Sequence, residues 1–375
     1  MIRRTLIVLV LATIGYVGIA AQNGPCAQTL QSKVDTAQPG STVDVPACTY
    51  HETVNVTRAL TLDGHNQAII DGDNTRERWM WIASSDVTVK NLTMRNAKTP
   101  SQVGALATQG GIKNVTIDHN DLGPTTNGMP IAIGGTTDSR VTNNQLHGGG
   151  QMGLSTWQNT NLTISGNHVY SNNTAGVDPN WAAGGIKAVQ DNGLTVSNNE
   201  VDHNIGPGIW IDILATDVTI SDNNVHDQQY NPIFFEVSSN GDIYGNTVSA
   251  SPSGPMNWGC IVSSSAANVK IHDNTCIDTL PLRAQLDNRP DTPPGAGTGN
   301  VLQNNRLVRP NPAQATSWWQ YDSNGPLKPG SNGNVDSGNM IGTPTPVPAS
   351  TPTPTTITCQ VNVRLNGIEQ GWKPC

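Results

Sequence analysis

Ile164-Ser-Gly-Asn-His-Val169, Val196-Ser-Asn-Asn-Glu-Val201 and Ile220-Ser-Asp-Asn-Asn-Val225 share one pattern: an apolar residue, two further positions, an asparagine, one position, and a second apolar residue. Eight segments of the chain fit it, with asparagines at Asn120, Asn144, Asn167, Asn199, Asn223, Asn246, Asn274 and Asn305. Successive asparagines lie 24, 23, 32, 24, 23, 28 and 31 residues apart. Intervals in this range mark a repeat architecture in which each unit stacks only on its neighbours. Apolar residues on both sides of a short bend bury in a common interior while the asparagine turns the corner. Its side chain can hydrogen-bond backbone within the bend, or the amide of the next asparagine up the stack.

The flanking segments agree with stacked coils. In Gly208-Ile-Trp-Ile-Asp-Ile213 and Val218-Thr-Ile220, strands of three to five residues are joined by bends with no helix between them. Such strands do not build a βαβ sheet. They pair coil on coil, about 4.8 Å apart, into parallel sheets. The longest interval holds an extra stretch, Asn173 to Trp181, read as a loop projecting from the wall. Residues 28–37 place Leu30, Val34 and Ala37 on one helical face, a short helix suited to covering the open first coil. The expected fold is all-β, a right-handed parallel β-helix with a short N-terminal capping helix.

Arg3-Arg4, the apolar run from Leu6 to about Ala20 and the small-residue end Gly18-Ile-Ala20 make residues 1–20 a secretion signal. The remaining divisions are a β-helix domain over 27–342, a Pro/Thr-rich linker over 343–356, and a tail over 357–375. Val361, Val363 and Leu365 lead into Asn366-Gly367, a hairpin signal, in that tail. Six cysteines follow the signal, an even number suited to an oxidising compartment. Proximity suggests the pairs Cys26–Cys48, Cys260–Cys276 and Cys359–Cys375. No Cys/His metal spacing stands out, so no metal ligands are assigned and no cofactor is required. The expected protein is a secreted or cell-surface monomer. Only 13% of residues are charged, against a helical bundle, and the net charge of −8 with no basic run argues against nucleic acid and anionic membranes. Beyond surface attachment, no membrane role is expected.

The asparagine-punctuated coils, the entry helix and the opening Ala37-x-Pro39-Gly40, Val45-Pro46 and Tyr50 resemble the secreted β-helix proteins of the pectate-lyase-like superfamily. The resemblance covers roughly residues 27–342 and implies the fold. That superfamily includes polysaccharide lyases, glycoside hydrolases, epimerases, esterases and proteins of no assigned activity, so chemistry has to come from side chains.

Three consecutive strands supply them: Gly185-Ile-Lys-Ala188, Ile209-Trp-Ile-Asp-Ile213 and Ile233-Phe-Phe-Glu-Val237. Alternation turns Ile186, Ile211 and Phe235 inward and Lys187, Trp210, Asp212, Phe234 and Glu236 outward. Steps of 25 and 24 residues are read as one coil each, which stands Lys187, Asp212 and Glu236 in one column. Some β-helix proteins of no assigned activity resemble this series. Adjacent carboxylates suit acid/base chemistry, and their separation would distinguish retaining from inverting hydrolysis. In a lyase, Lys187 would instead abstract a proton, with Ca²⁺ on the carboxylates. The bland alternative is a surface salt-bridge ladder.

Trp210, Trp181, Trp157 and Phe234 are expected to contact sugar rings, Trp79 and Trp81 to line the same groove, and His203 to lie near the column. His119, His147, His168, His226 and His272, placed periodically about the bends, read as turn residues. The leading expectation is an enzyme degrading an extracellular polysaccharide. Hydrolysis is placed ahead of elimination because no arginine is read in the column. The competing expectation is a non-catalytic surface or matrix protein that binds glycans. A groove over residues 187–236, walled by the loop, would favour the enzyme.

Overall fold

The computed structural model describes residues 26–249, 258–280, 282–286, 291–308, 317–320, 329–342, 360–365 and 368–374. The chain winds as a parallel β-solenoid. One wall is an eleven-stranded parallel sheet running from Val54–Val56 through Met152–Trp157, Gly184–Val189, Ile209–Asp212 and Ile233–Glu236 to Ser317–Gln320. The remaining wall is a 22-stranded sheet. Most coils give it two short strands with the asparagine bend between them, as in Thr163–Ser165 and His168–Tyr170. The inward residues of every coil merge into one core, with Val141, Ile164, Val196, Ile220 and Ile243 all fully buried.

The asparagines form a ladder along this core. The backbone N–H and the side-chain amide of Asn144 both donate to Oδ1 of Asn167, at 2.9 and 3.0 Å. Asn167 repeats this on Asn199, and the series continues to Asn305 and on to Asn339. The second amide hydrogen reaches the carbonyl of the preceding coil, as from Asn144 to Ile117 at 2.9 Å. Both uses expected of the asparagine, within the bend and along the stack, therefore occur. Asn339 escapes the sequence pattern because Asp336 stands where the first apolar residue belongs.

The residue before each ladder asparagine is in the left-handed region. His119, Asn143, Gly166, Asn198, Asp222, Gly245, Asp273, Asn304 and Gly338 have φ between 52° and 69°. Asn, Asp, His and Gly are the residues that tolerate this region best. At Gly166 an added Cβ would stand 2.5 Å from Oδ1 of Asn143 in the coil below, so a side chain there would require the exposed Asn143 amide to shift.

The helix Leu30–Thr36 closes the first coil, with Leu30 and Val34 buried. Thr29 caps its N-terminus through Ser32, and Glu52 accepts from the backbone N–H of Leu30 and Gln31. Cys26–Cys48 and Cys260–Cys276 are disulfides, with Cα atoms 5.8 and 6.1 Å apart. They fit a protein that folds in an oxidising compartment. Among the described residues no helix is long and apolar enough to cross a membrane. Gln360–Leu365 and Ile368–Pro374 pair antiparallel. The signal at 1–20, the linker at 343–356 and the pair Cys359–Cys375 lie outside the described residues.

Candidate active site

Register decides which outward side chains meet. Lys187 pairs with Trp210, Trp210 with Phe234, Phe234 with Val262, and Val262 with Arg283. Asp212 stands beside Val189, and the same register brings it next to Glu236 on the following coil. The expected single column is therefore corrected. Asp212 and Glu236 share one column, while Lys187 stands two residues back along the strand, on the same face. The cause is coil length: the step from Lys187 to its partner Trp210 is 23 residues, and the step of 25 to Asp212 spans a coil plus one pleat. The column of Asp212 and Glu236 continues into Ser264 and Gln285, and Arg283 lies in register with Lys187 only four coil steps along.

Lys187 nevertheless reaches Asp212 diagonally, with Nζ 2.9 Å from Oδ2. The same ammonium donates to the Trp181 carbonyl at 2.6 Å and stands 3.4 Å from the Trp210 ring centroid. The Trp210 indole N–H donates to Oε2 of Glu236 at 3.1 Å, and Oδ1 of Asp212 accepts from the Ile213 backbone at 2.8 Å. These groups face away from the solenoid core, as alternation requires, yet they are not exposed. Lys187, Asp212 and Glu236 are 7%, 3% and 6% accessible. The loop before Gly184 and the aromatic layer cover them. Phe234 stacks on Trp210 at 5.6 Å and meets Trp258 edge-on at 5.7 Å. Phe234 is thus packing beneath the site rather than a surface for sugar.

A cavity of ≈ 270 Å³ opens here, lined by Gln102, Ser155, Trp181, Lys187, Asp212 and Glu236. It continues into a groove of ≈ 830 Å³ over the preceding coils, the two sharing Gln102, Ser155 and Val189. Small residues, among them Ala107, Ala132 and Gly134, floor the groove, and Trp81 and Trp157 flank it. Trp157 lies close over Gly134 of the coil below, where an added Cβ would stand 3.3 Å from the ring. Trp157 and Trp181 remain more than half exposed. From Trp81 to Glu236 the face spans six coil steps, about 29 Å at the parallel-strand spacing.

Backbone conformation marks the same two coils. The residue after the outer column turns left-handed on successive coils: Gln158, Gln190, Ile213, Val237 and Ser265 have φ of 53°, 56°, 42°, 47° and 50°. Only after Asp212 and Glu236 is that residue β-branched, a placement that costs on the order of 1–3 kcal/mol and clusters at functional sites.

Two sequence expectations do not reach the site. Trp79 is fully buried in the solenoid core, donating its indole N–H to Arg95 O. His203 belongs to the other wall, where Nδ1 lies 2.9 Å from Asp202 Oδ1, and it lines neither cavity. Its closeness in sequence to Trp210 misleads because the chain turns a corner between them. Arg78, Gln102 and Ser155 were missed. Only Ser155 carried a signal, since it pairs with Lys187 one coil earlier.

The family described as right handed beta helix region matches residues 79–182 and 178–276. Among solved structures, the chain is similar to DFA-IIIase from Arthrobacter chlorophenolicus A6 in complex with GF2. The identity is 14%, with 76% of this chain and 80% of that one covered and a TM-score of 0.55. It is also similar to the Dettilon tailspike protein, at 13% identity, covering 82% of this chain and 62% of that one, with a TM-score of 0.54. At such identities the likeness is one of fold. No curated protein matches the chain in sequence.

Proposed function

We propose that this chain, which belongs to the right-handed β-helix family, is a secreted enzyme that cleaves an extracellular polysaccharide. One observation carries the reading: an open groove flanked by Trp81 and Trp157 leads into a smaller cavity lined by Asp212, Glu236 and Lys187. A long chain with flat sugar faces suits the groove, and a bond to be broken suits its buried end. Carbohydrate-active β-helix proteins among the fold neighbours support the substrate class.

In this reading Asp212 and Glu236 are the acid/base or acid/nucleophile pair for hydrolysis. Lys187 positions Asp212 through their contact, and Trp210 orients Glu236. Trp181 and Trp157 face the sugar. The commitment of Lys187 to Trp181 ties the loop to the reacting groups, so substrate entry and loop position are linked. One observation favours a second reaction class. Beside Asp212, Lys187 would in that class take the α proton of a uronate, while Arg283, four coil steps along and about 19 Å away, does not reach the same sugar.

The test is a panel of neutral and uronate polysaccharides, read both for new reducing ends and for absorbance of unsaturated products. Asp212→Asn and Glu236→Gln are each expected to lower the rate on the responsive glycan by at least about 100-fold. Unchanged rates in both variants would remove the assignment. Absorbing products would move it from hydrolysis to elimination.

A further inference from the structure

The other wall carries a cluster that the groove does not use. On three successive coils, His168–Tyr170, Glu200–Asp202 and Asn224–His226 lie side by side in parallel register. His168 is paired with Glu200, and Asp202 with His226, so the coils below and above each bring a histidine beside the carboxylates of the middle coil. His168 Nε2 is 2.8 Å from Asp202 Oδ2. His226 Nε2 is 3.4 Å from Glu200 Oε1 and 3.7 Å from Asp202 Oδ2. Donor atoms of His168, Glu200 and Asp202 all fall within 4.8 Å of one another.

We propose that His168, Glu200, Asp202 and His226 form a binding site for one divalent transition-metal ion of the zinc class. Ligand atoms about 2.0–2.2 Å from a tetrahedral ion lie about 3.3–3.6 Å from each other, the range these side chains already approach. Two imidazoles and two carboxylates make an N₂O₂ set, which favours zinc and its neighbours over calcium or magnesium. The far ring nitrogens are also held. His168 Nδ1 is 3.1 Å from Gln145 Oε1, and His226 Nδ1 is 2.7 Å from Asp227 Oδ2, the outer contacts that aim a ligating histidine. Asp202 is fixed as well, its other oxygen engaged by His203.

Place in the fold gives the ion a job. His168 precedes the long loop that begins near Asn173, and Glu200 follows it, so the interval of 32 residues closes on this cluster. A bound ion would brace the coils on either side of the loop whose Trp181 carbonyl receives Lys187.

The experiment is a titration of the metal-stripped full chain with Co²⁺, read by visible absorption. One Co²⁺ per chain, with the intense bands of a four-coordinate ion that Zn²⁺ then displaces, is the expected result. Zn²⁺ should also raise the thermal midpoint. Asp227→Ala should weaken Co²⁺ by about 10-fold or more through loss of the outer contact, and His168→Gln/His226→Gln should abolish the bands. Absence of saturable Co²⁺ binding overturns the site, as does a spectrum that survives the double variant. If the double variant fails to fold, Glu200→Gln decides. Its side chain is half exposed, and an affinity equal to that of the parent chain also overturns the proposal.

Discussion

Replacing Asn223 by alanine tests the ladder at its middle. Asn223 is 1% exposed. Its Oδ1 accepts from the backbone N–H of Asn199 at 3.0 Å and from the Asn199 amide at 2.9 Å. Its own amide donates to Val196 O and to Asn246 Oδ1, both at 2.9 Å. The alanine leaves two buried donors on Asn199 without a partner, and the Val196 carbonyl loses its side-chain donor. Asn246 Oδ1 keeps the Asn223 backbone N–H at 3.0 Å. At 1–3 kcal/mol for each of the two orphaned donors, the loss is about 2–6 kcal/mol, with the lower end applying if water enters the space left behind. The assay is equilibrium denaturation in urea with the slope held in view, so that a changed midpoint reads as stability. Asn223→Asp is the companion. It keeps the acceptor but turns a carboxylate oxygen toward Val196 O and Asn246 Oδ1, so its deficit should shrink at acid pH, where a protonated carboxyl donates again. A loss below about 1 kcal/mol in Asn223→Ala would show that the amides line up without holding the coils, and the reasoning would fail.

Three other outcomes follow from the geometry. Trp157→Ala is expected to raise KM about tenfold or more on the responsive glycan with kcat little changed, because an exposed stacking surface is lost while the buried pair is untouched; a fall in kcat alone would contradict that placement. Asp191 stands in a second amide row, where its Oδ1 accepts from Asn159 and its Oδ2 from Thr156. Burial pushes its carboxyl above the usual carboxylate range, outweighing hydrogen bonds from Thr156 and Asn159. A raised acid favours folding below its unfolded pKa, and that benefit disappears as pH rises through the folded one. Asp191→Asn should therefore raise the thermal midpoint at pH 7, with the gain absent below about pH 4; equal gains at both pH values would refute the burial argument. Asp63 behaves oppositely. Against its burial, which acts to raise it, hydrogen bonds from Asn91, the His65 backbone and Lys90 hold its carboxyl at about 2 instead of 3.8. Such a shift is worth at most about 2 kcal/mol, present above pH 3.8 and lost as pH falls toward 2. Asp63→Asn should flatten the acid limb of the stability curve, and an acid limb identical to that of the parent chain would count against it.

The fold was legible because its signals are local. The apolar-x-x-Asn-x-apolar unit contains both the buried flanks and the turning residue, and the helix face Leu30/Val34 lies within one segment. The two described disulfides join cysteines only 22 and 16 residues apart. The site was legible in part. Alternation placed Lys187, Trp210, Asp212, Phe234 and Glu236 on one face, but it carries no depth, so Phe234 read like Trp157 although one is covered and the other exposed. Register was the harder quantity. A coil of 23 residues and a coil of 25 differ by one pleat, which preserves the face and shifts the column, and this moved Lys187 beside Trp210. The His168, Glu200, Asp202 and His226 cluster left no motif at all. Its members are spaced by coil length, so it forms a site only after the coils close.

Ladder bonds across the interval of 32 residues are 2.9 and 3.0 Å, the same as across the interval of 23. Residues inserted between asparagines therefore leave no trace in the rise of the stack. This separates two tasks that most folds couple. The floor of the groove, set by register, holds its geometry while the overhanging loops lengthen, shorten or change composition. Variation among chains of this architecture should then collect in loops such as Asn173–Trp181, altering which ligand fits while the reacting side chains keep their places. A designer seeking new specificity would recast that loop and leave every bend asparagine alone.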